Sequence, residues 1–339
     1  MSKNLPFLFL FLGLVNGRGN PPYPWFHYEH VFSPTIYVDQ SGFTNFKTIQ
    51  SAIDAIPSNN LRWICIFIMP GIYREKVTIP GDKQYIYLKG VGIQRPTIVW
   101  DNSESLVASP TFTSYADNIK VEKLQFVNSY NYPPMKSAGG GKPLKPAVAA
   151  MITGDKTAFY ECSFAGVQDT LLDAQGRHYF KHCIIEGAID FIFGAGQSIY
   201  EECKIVVNAG SFGERTTGYI TAQGRSGAYD SNAFVFKNCN VIGNGMAYLG
   251  RAWRSYARTI FFNSSLSNII VPQGWDAWYN RGYEKRLTFA EVKCYGPGSD
   301  TSKRVSWESQ LSPEVVNYFT NIDFIDNDHW INKQPYYIE

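Results

Sequence analysis

Short apolar runs recur along this chain in a single register. When Val121 to Leu124, Phe159 to Cys162, Phe180 to Cys183, Tyr200 to Cys203, Phe236 to Cys239 and Phe261 to Ser264 are superposed, an apolar residue stands three places before every anchor. Two places after the anchors come Phe126, Phe164, Ile185, Ile205, Val241 and Leu266. Brief alternating runs of this kind are strands, and a repeat that cannot bury its apolar face alone must stack on its neighbours. The anchors are 38, 21, 20, 36 and 25 residues apart. The shorter spacings predict an all-β fold, a right-handed single-stranded parallel β-helix, in which equivalent positions lie one above another. The longer gaps predict loops projecting from particular coils: Lys136 to Lys145, with Gly139-Gly140-Gly141, is one, and residues 207–232 include another. Long loops on a rigid stack are where a cleft is usually built.

Before the repeats, Trp63 to Met69, Lys76 to Ile79, Tyr85 to Lys89 and Thr97 to Trp100 are β-rich runs set off by Gly or Pro, and strands continue through Asn118 to Asn128. Phe46 to Ile56 differs: Ile49, Ala52, Ile53 and Ile56 fall on one helical face, and Pro57 follows. A short N-terminal helix there would cover the open end of the stack, whose strand edges are otherwise unpaired. Near the other end, Ser312-Pro313-Glu314-Val315 has an N-cap followed by Pro at the first helical position, and this tail is expected to pack back on the stack.

Residues 1–19 have the form of an export signal, with Lys3 before the apolar stretch Leu5 to Val15 and small residues at Gly17 and Gly19. Residues 20–34 form an entry segment rich in Pro and aromatics, and 35–339 one β-helical catalytic domain. No run reaches the roughly 20 apolar residues of a membrane span, so no membrane anchor is expected. Without Lys3 and Arg18 the chain has 29 basic and 29 acidic residues, and no clustered basic excess suggests nucleic acid. All six cysteines follow the signal. Cys162, Cys183, Cys203 and Cys239 share one inward-facing repeat position, where thiols could stack as small apolar groups or adjacent coils could be cross-linked; both readings stand. Asn263-Ser264-Ser265 is a glycosylation sequon.

Asp169 and Asp190 each stand seven places after an anchor cysteine, 21 residues apart. Stacking predicts that they share one patch, about one or two strand spacings of ~4.8 Å apart. Paired acids in one site can be driven to different protonation states and so divide acid and nucleophile work. Around them stand Gln168-Asp169-Thr170-Leu171, Gly187 to Gly194 (GAIDFIFG) and Leu249-Gly250-Arg251-Ala252-Trp253.

These motifs closely resemble those of the plant pectin methylesterases, whose patterns are QDTL, GxxDFIFG and LGRPW; Thr221 to Arg225 and Gly71 to Glu75 also look like family signatures. The likeness runs from about residue 34 onward, in the family's order. It implies a secreted cell-wall enzyme, working as a monomer without metal or organic cofactor, that demethylates homogalacturonan to pectate and methanol. It implies Asp190 as nucleophile, Asp169 as general acid and then base, Gln168 as oxyanion donor, and Arg251 orienting Asp190 and keeping it ionised. It further implies Trp253 and Trp278 as sugar platforms, and a proteinaceous inhibitor as a potential partner. The short region before Pro34 has no room for the inhibitor-like pro-domain of some family members, so inhibition in cis is not expected.

Two departures stand out. Where the family usually reads QAVAL, with a second oxyanion glutamine, this chain has Pro146 to Ala150 (PAVAA). Proline has no side-chain donor and no N–H. Ala252 replaces the proline of LGRPW, a milder change. An impaired pectin-binding relative is therefore the alternative function, ahead of a polygalacturonase or pectate lyase. No G-x-S-x-G elbow is present. His178 and His182 lack the H-E-x-x-H context of zinc, and alternation predicts that both face the same way, in a surface role.

Overall fold

The computed structural model describes residues 35–335 apart from 93, 134–142 and 214–215. The export signal, the entry segment and the glycine run of the first loop lie outside these residues. Strands wind through three parallel sheets of ten, eight and eight strands, each successive coil adding a strand to every sheet through most of the stack. This is the expected right-handed parallel β-helix, with the handedness that parallel crossovers take.

Strand pairing reproduces the sequence register. In the ten-stranded sheet Val121 pairs with Phe159, then Phe180, Tyr200, Phe236 and Phe261 in turn. One eight-stranded sheet aligns Phe126, Phe164, Ile185, Ile205, Val241 and Leu266. Parallel stacking puts like rings over like rings. Phe159, Phe180, Tyr200, Phe236 and Phe261 form a ladder with successive centroids 5.1, 4.6, 4.6 and 4.4 Å apart and planes within 10°. All five are buried.

From the third coil on, the chain turns between these two sheets through only two residues, whereas the first two coils use residues 69–71 and 91–96. The first of each pair takes the left-handed conformation: Lys123, Glu161, His182, Glu202, Asn238, Asn263 and Lys293 have φ between 47° and 56°. The second is the anchor. Cys162, Cys183, Cys203 and Cys239 are free thiols, each donating to a carbonyl of the preceding coil, so stacking and not cross-linking accounts for their spacing. Left-handed residues are energetically unfavourable, but the geometry repeats because each turn must sit on the one below.

The caps match the sequence pattern. Helix α1 (Ile49–Asp54) is N-capped by Thr48 and buries Ile49, Ala52 and Ile53. Its Gln50 side chain both donates to the Thr78 carbonyl and accepts from the Thr78 N–H, closing the edge of the last strand in one eight-stranded sheet. Helix α2 (Pro313–Thr320), capped by Ser312, and helix α3 (Asp323–Asp326) supply Phe319, Phe324 and Ile325 to a second apolar cluster with Tyr179, Ile199, Val235 and Ile260 of the ten-stranded sheet.

His178 corrects the sequence reading. It is fully buried, with Nδ1 2.5 Å from an Asp173 oxygen and Nε2 2.9 Å from the Gly154 carbonyl. Both partners can accept, an arrangement that favours the protonated ring. Burial alone would discharge it, but the Asp173 charge and these bonds outweigh burial and raise its pKa. Tyr200 completes the cluster by donating to the other Asp173 oxygen at 2.6 Å. His182 instead occupies a left-handed turn position, is exposed and faces Glu202. The turn breaks strand alternation before His182, so the two rings do not share a face.

Phe180 stacks on both sides within the ladder. Phe180→Ala should lower unfolding stability by about 3–5 kcal/mol, read by chemical denaturation. A loss below ~1 kcal/mol would show that neither the burial of this ring nor its stacking in the ladder stabilises the fold appreciably.

Candidate active site

The second eight-stranded sheet carries Leu171–Asp173, Ile189–Gly194, Thr217–Gln223, Met246–Ala252 and Trp275–Asp276 on successive coils. Their register sets Leu172, Phe193, Ala222, Arg251 and Asp276 in one row. Phe193 and Ala222 join Val148, Met151 and Leu172 in an apolar cluster against which Leu106 and Trp253 pack. Over it opens a cleft of about 230 Å³, lined also by Gln168, Asp169, Asp190, Arg251 and Trp278. All six candidate residues named from the sequence thus line one cleft.

The two acids sit on neighbouring coils. Gln168 bridges to Ile189, and the Asp169 N–H donates to the Ile189 carbonyl at 3.0 Å. Both aspartates have positive φ, 60° at Asp169 and 49° at Asp190, in a region that Asp tolerates better than most residues. At Asp190 the strand register slips by one residue against the next coil. Such an insertion re-aims the side chain next to it. Gly187 allows the bend, because a Cβ there would lie 2.2 Å from that of Phe191. Gly250 has a similar role, with Thr221 Oγ1 2.1 Å from where its Cβ would stand.

Arg251 reaches back across the coil of Ala222 to Asp190. Its Nε and Nη2 donate to the two carboxylate oxygens at 2.7 and 2.5 Å. The guanidinium is held between two rings, 4.1 Å from the Tyr219 centroid and 3.8 Å from that of Trp278. Cation–π contacts of this kind contribute about 0.5–2 kcal/mol each and fix the plane of the fork. Asp276, beside Arg251 in the row, accepts from the Trp278 N–H at 2.9 Å and holds the turn that presents the indole.

The acids differ in their surroundings. Burial, and then the Asp190 charge, push the Asp169 carboxyl up to about 8, with Arg251 opposing them only through its charge. Asp190 is also raised by burial, but two hydrogen bonds and the charge of Arg251 pull against that rise. The sequence reading expected Arg251 to lower Asp190 outright. Burial reverses the net direction, while the order is kept: Asp169 holds its proton longer than Asp190.

Gln168 is half-exposed at the cleft wall, and its carbonyl accepts from the Ala147 N–H at 3.0 Å. Pro146 precedes that contact and is half-exposed on the adjacent coil, outside the cleft lining. Of the two tryptophans of Gly274 to Trp278, Trp275 is buried and stacks on Phe289 at 4.8 Å, whereas Trp278 covers Arg251. Sequence reasoning did not identify Tyr219, Leu106 or Phe193. Tyr219 could have been found only by stacking Thr217–Gln223 on Met246–Ala252, which needs the lengths of the loops between them.

The pectinesterase family profile matches residues 35–328. Among curated relatives, probable pectinesterase 55 of Arabidopsis thaliana is 52% identical over 300 residues, covering 88% of this chain and 91% of the relative. Probable pectinesterase 29 of the same plant is 49% identical over 305 residues, 90% and 91% of the two chains. Of solved structures, a pectin methylesterase from carrot superposes with a TM-score of 0.80 at 26% identity, over 90% of this chain and 96% of that one. A mutant pectin methylesterase in complex with a hexasaccharide superposes at 0.73 with 25% identity, over 86% and 96%. With a family match over nearly the whole described chain and relatives at about half identity, the protein belongs to the pectinesterases, a family of carboxylic ester hydrolases.

Proposed function

We propose that the protein is a secreted enzyme that demethylates the galacturonan of pectin in the cell wall, by attack of Asp190 on the methyl-ester carbonyl. The observation that carries this reading is the bidentate Arg251–Asp190 pair standing beside a second, more basic acid in one cleft. Asp190, aimed and kept anionic by Arg251, adds to the ester carbon. Asp169, still protonated, gives its proton to the departing methanol, and the acyl-enzyme forms. The Asp169 carboxylate then takes a proton from water, which attacks the acyl carbon and releases Asp190 and the free acid. Gln168 donates to the oxyanion in both steps. Trp253 offers a ring face to the sugars, whereas Trp278, with Arg251 on one face and Tyr279 stacked on the ring, contributes its edge; likeness to a structure described as bound to a hexasaccharide supports a polysaccharide in this cleft. Among the described residues no helix is long and apolar enough to cross a membrane.

Asp190→Ala should abolish methanol release from highly methylated pectin, with the fold intact by circular dichroism. Release at more than about 1% of the parent rate would remove Asp190 from the nucleophile's role. New reducing ends or unsaturated products from the parent protein would instead indicate chain cleavage.

The proton inventory fixes the pH response. Asp169 serves as acid only while protonated, so kcat/KM is retained below its pKa and falls as pH rises through about 8. Asp190 serves only when ionised, which gives the acid limb. After subtraction of uncatalysed ester loss, a profile flat from about pH 6 to 10 would exclude Asp169 as the acid.

Pro146 bears on rate. Pro146→Gln places an amide donor on the coil next to Gln168 and should raise kcat by about threefold or more with little change in KM. Unchanged or lower turnover would show that Gln168 meets the oxyanion's need without a second side chain.

A further inference from the structure

Of the signature Thr221 to Arg225, Ala222 lines the cleft, and the chemistry above leaves the last residue unused. Arg225 is only 3% exposed. Its guanidinium donates to three main-chain carbonyls: Nε to Asp230 at 2.8 Å, Nη1 to Tyr256 at 3.0 Å, and Nη2 to Ala228. A buried charge is costly unless it is fully bonded, and here the bonds come from two separate loops. They curl residues 224–232 around the guanidinium and tie them to residues 253–257, the loop that begins with Trp253. The Tyr256 N–H returns a bond to the Arg225 carbonyl at 3.1 Å, and the Tyr256 ring lies 5.8 Å from the guanidinium.

The two loops also share a footing. The side-chain carbonyl of buried Gln223 accepts from the Arg225 N–H at 2.9 Å and from the Arg258 N–H at 2.8 Å, where the first loop begins and the second ends. The Trp253 N–H donates to the Gln223 main-chain carbonyl at 3.2 Å, and its indole lies on Gly224, where an added Cβ would stand 3.0 Å from Cε3. Arg225 holds the far end of the same loop through Tyr256, so the indole is carried on a segment anchored on both sides. Lysine could not take this place, because an ammonium is a single point and lacks the planar fork that reaches carbonyls on both loops. We propose that Arg225 is a positioning residue for Trp253: by fastening the two loops it holds the indole towards the sugar chain, and so it governs affinity for the polymer and not the rate of the ester chemistry. The proposal rests on the reading of Trp253 as a sugar platform in an esterase cleft.

The test is a double-mutant cycle of Arg225→Lys, Trp253→Ala and the two together, each beside the parent protein at a temperature well below the lowest melting midpoint. KM and kcat for methanol release are measured on highly methylated pectin, and binding of oligogalacturonate is measured by calorimetry. Arg225→Lys should raise KM by about threefold to tenfold with kcat kept within about twofold. Loss of folded protein would not give that split, since it lowers apparent kcat and leaves KM unmoved. Because Arg225 acts through the indole, the double variant should have the KM of Trp253→Ala alone, and oligogalacturonate binding should show the same non-additivity. Multiplied effects in the double variant would overturn the proposal, as would an unchanged KM in either single variant or a loss confined to kcat. Arg225→Gln, which buries no charge, takes the place of the lysine variant if that protein does not fold. A parent that releases no methanol but shows the coupling in oligogalacturonate binding would leave Arg225 its role and remove the esterase reading; methanol release with independent effects would do the reverse.

Discussion

In-register stacking constrains everything else in this molecule. From Lys123 onward the corner between the ten-stranded sheet and the first eight-stranded one is a two-residue turn on coil after coil, with a left-handed residue followed by a buried one. Such a corner admits no insertion without breaking the ladder above and below it. Differences in coil length must therefore be taken up elsewhere, and they fall on the two borders of the remaining sheet. Residues 101–111, 129–149, 208–216, 224–232, 253–257 and 277–287 all enter or leave that sheet. Over these coils the cleft lies where the loops are because the two-residue corner opposite holds none.

Placement on that sheet also divides the two acids. Burial acts on Asp169 and Asp190 alike and raises both. What differs is reach. Arg251 delivers two hydrogen bonds to Asp190 and only its distant charge to Asp169, so one proton separates two side chains of the same chemical type. The clamp of Tyr219 and Trp278 makes this difference durable by removing the guanidinium's freedom to turn to the other carboxylate.

How much of this was legible depends on range. The strand register could be read because apolar alternation is local and anchor spacing is short, and the five stacked rings from Phe159 to Phe261 follow from it. Both acids, Gln168, Arg251, Trp253 and Trp278 were visible through motifs. The buried state of His178 was not, because alternation gives the face a residue points to and not whether a carboxylate waits there; Asp173 lies in another sheet. The left-handed turn at His182 broke the alternation that had put both histidines on one face. Tyr219 was hidden for a related reason: its partner Arg251 lies beyond two loops whose lengths have no periodic signal.

Ala222 shows that absence of side-chain bulk can matter as much as any functional group. Arg251 and Asp190 are separated by the intervening coil, a span of about two strand spacings or ~9.5 Å. The outward position on that coil is Ala222, in register with both Phe193 and Arg251. A long or branched residue there would occupy the path the arginine takes and the floor of the cleft at once. The guanidinium would then have to leave Asp190 or displace Trp278, and either outcome would return the two aspartates to equivalent surroundings. The inequality between the acids thus depends on a methyl group's worth of open space, held by a stack too regular to close over it.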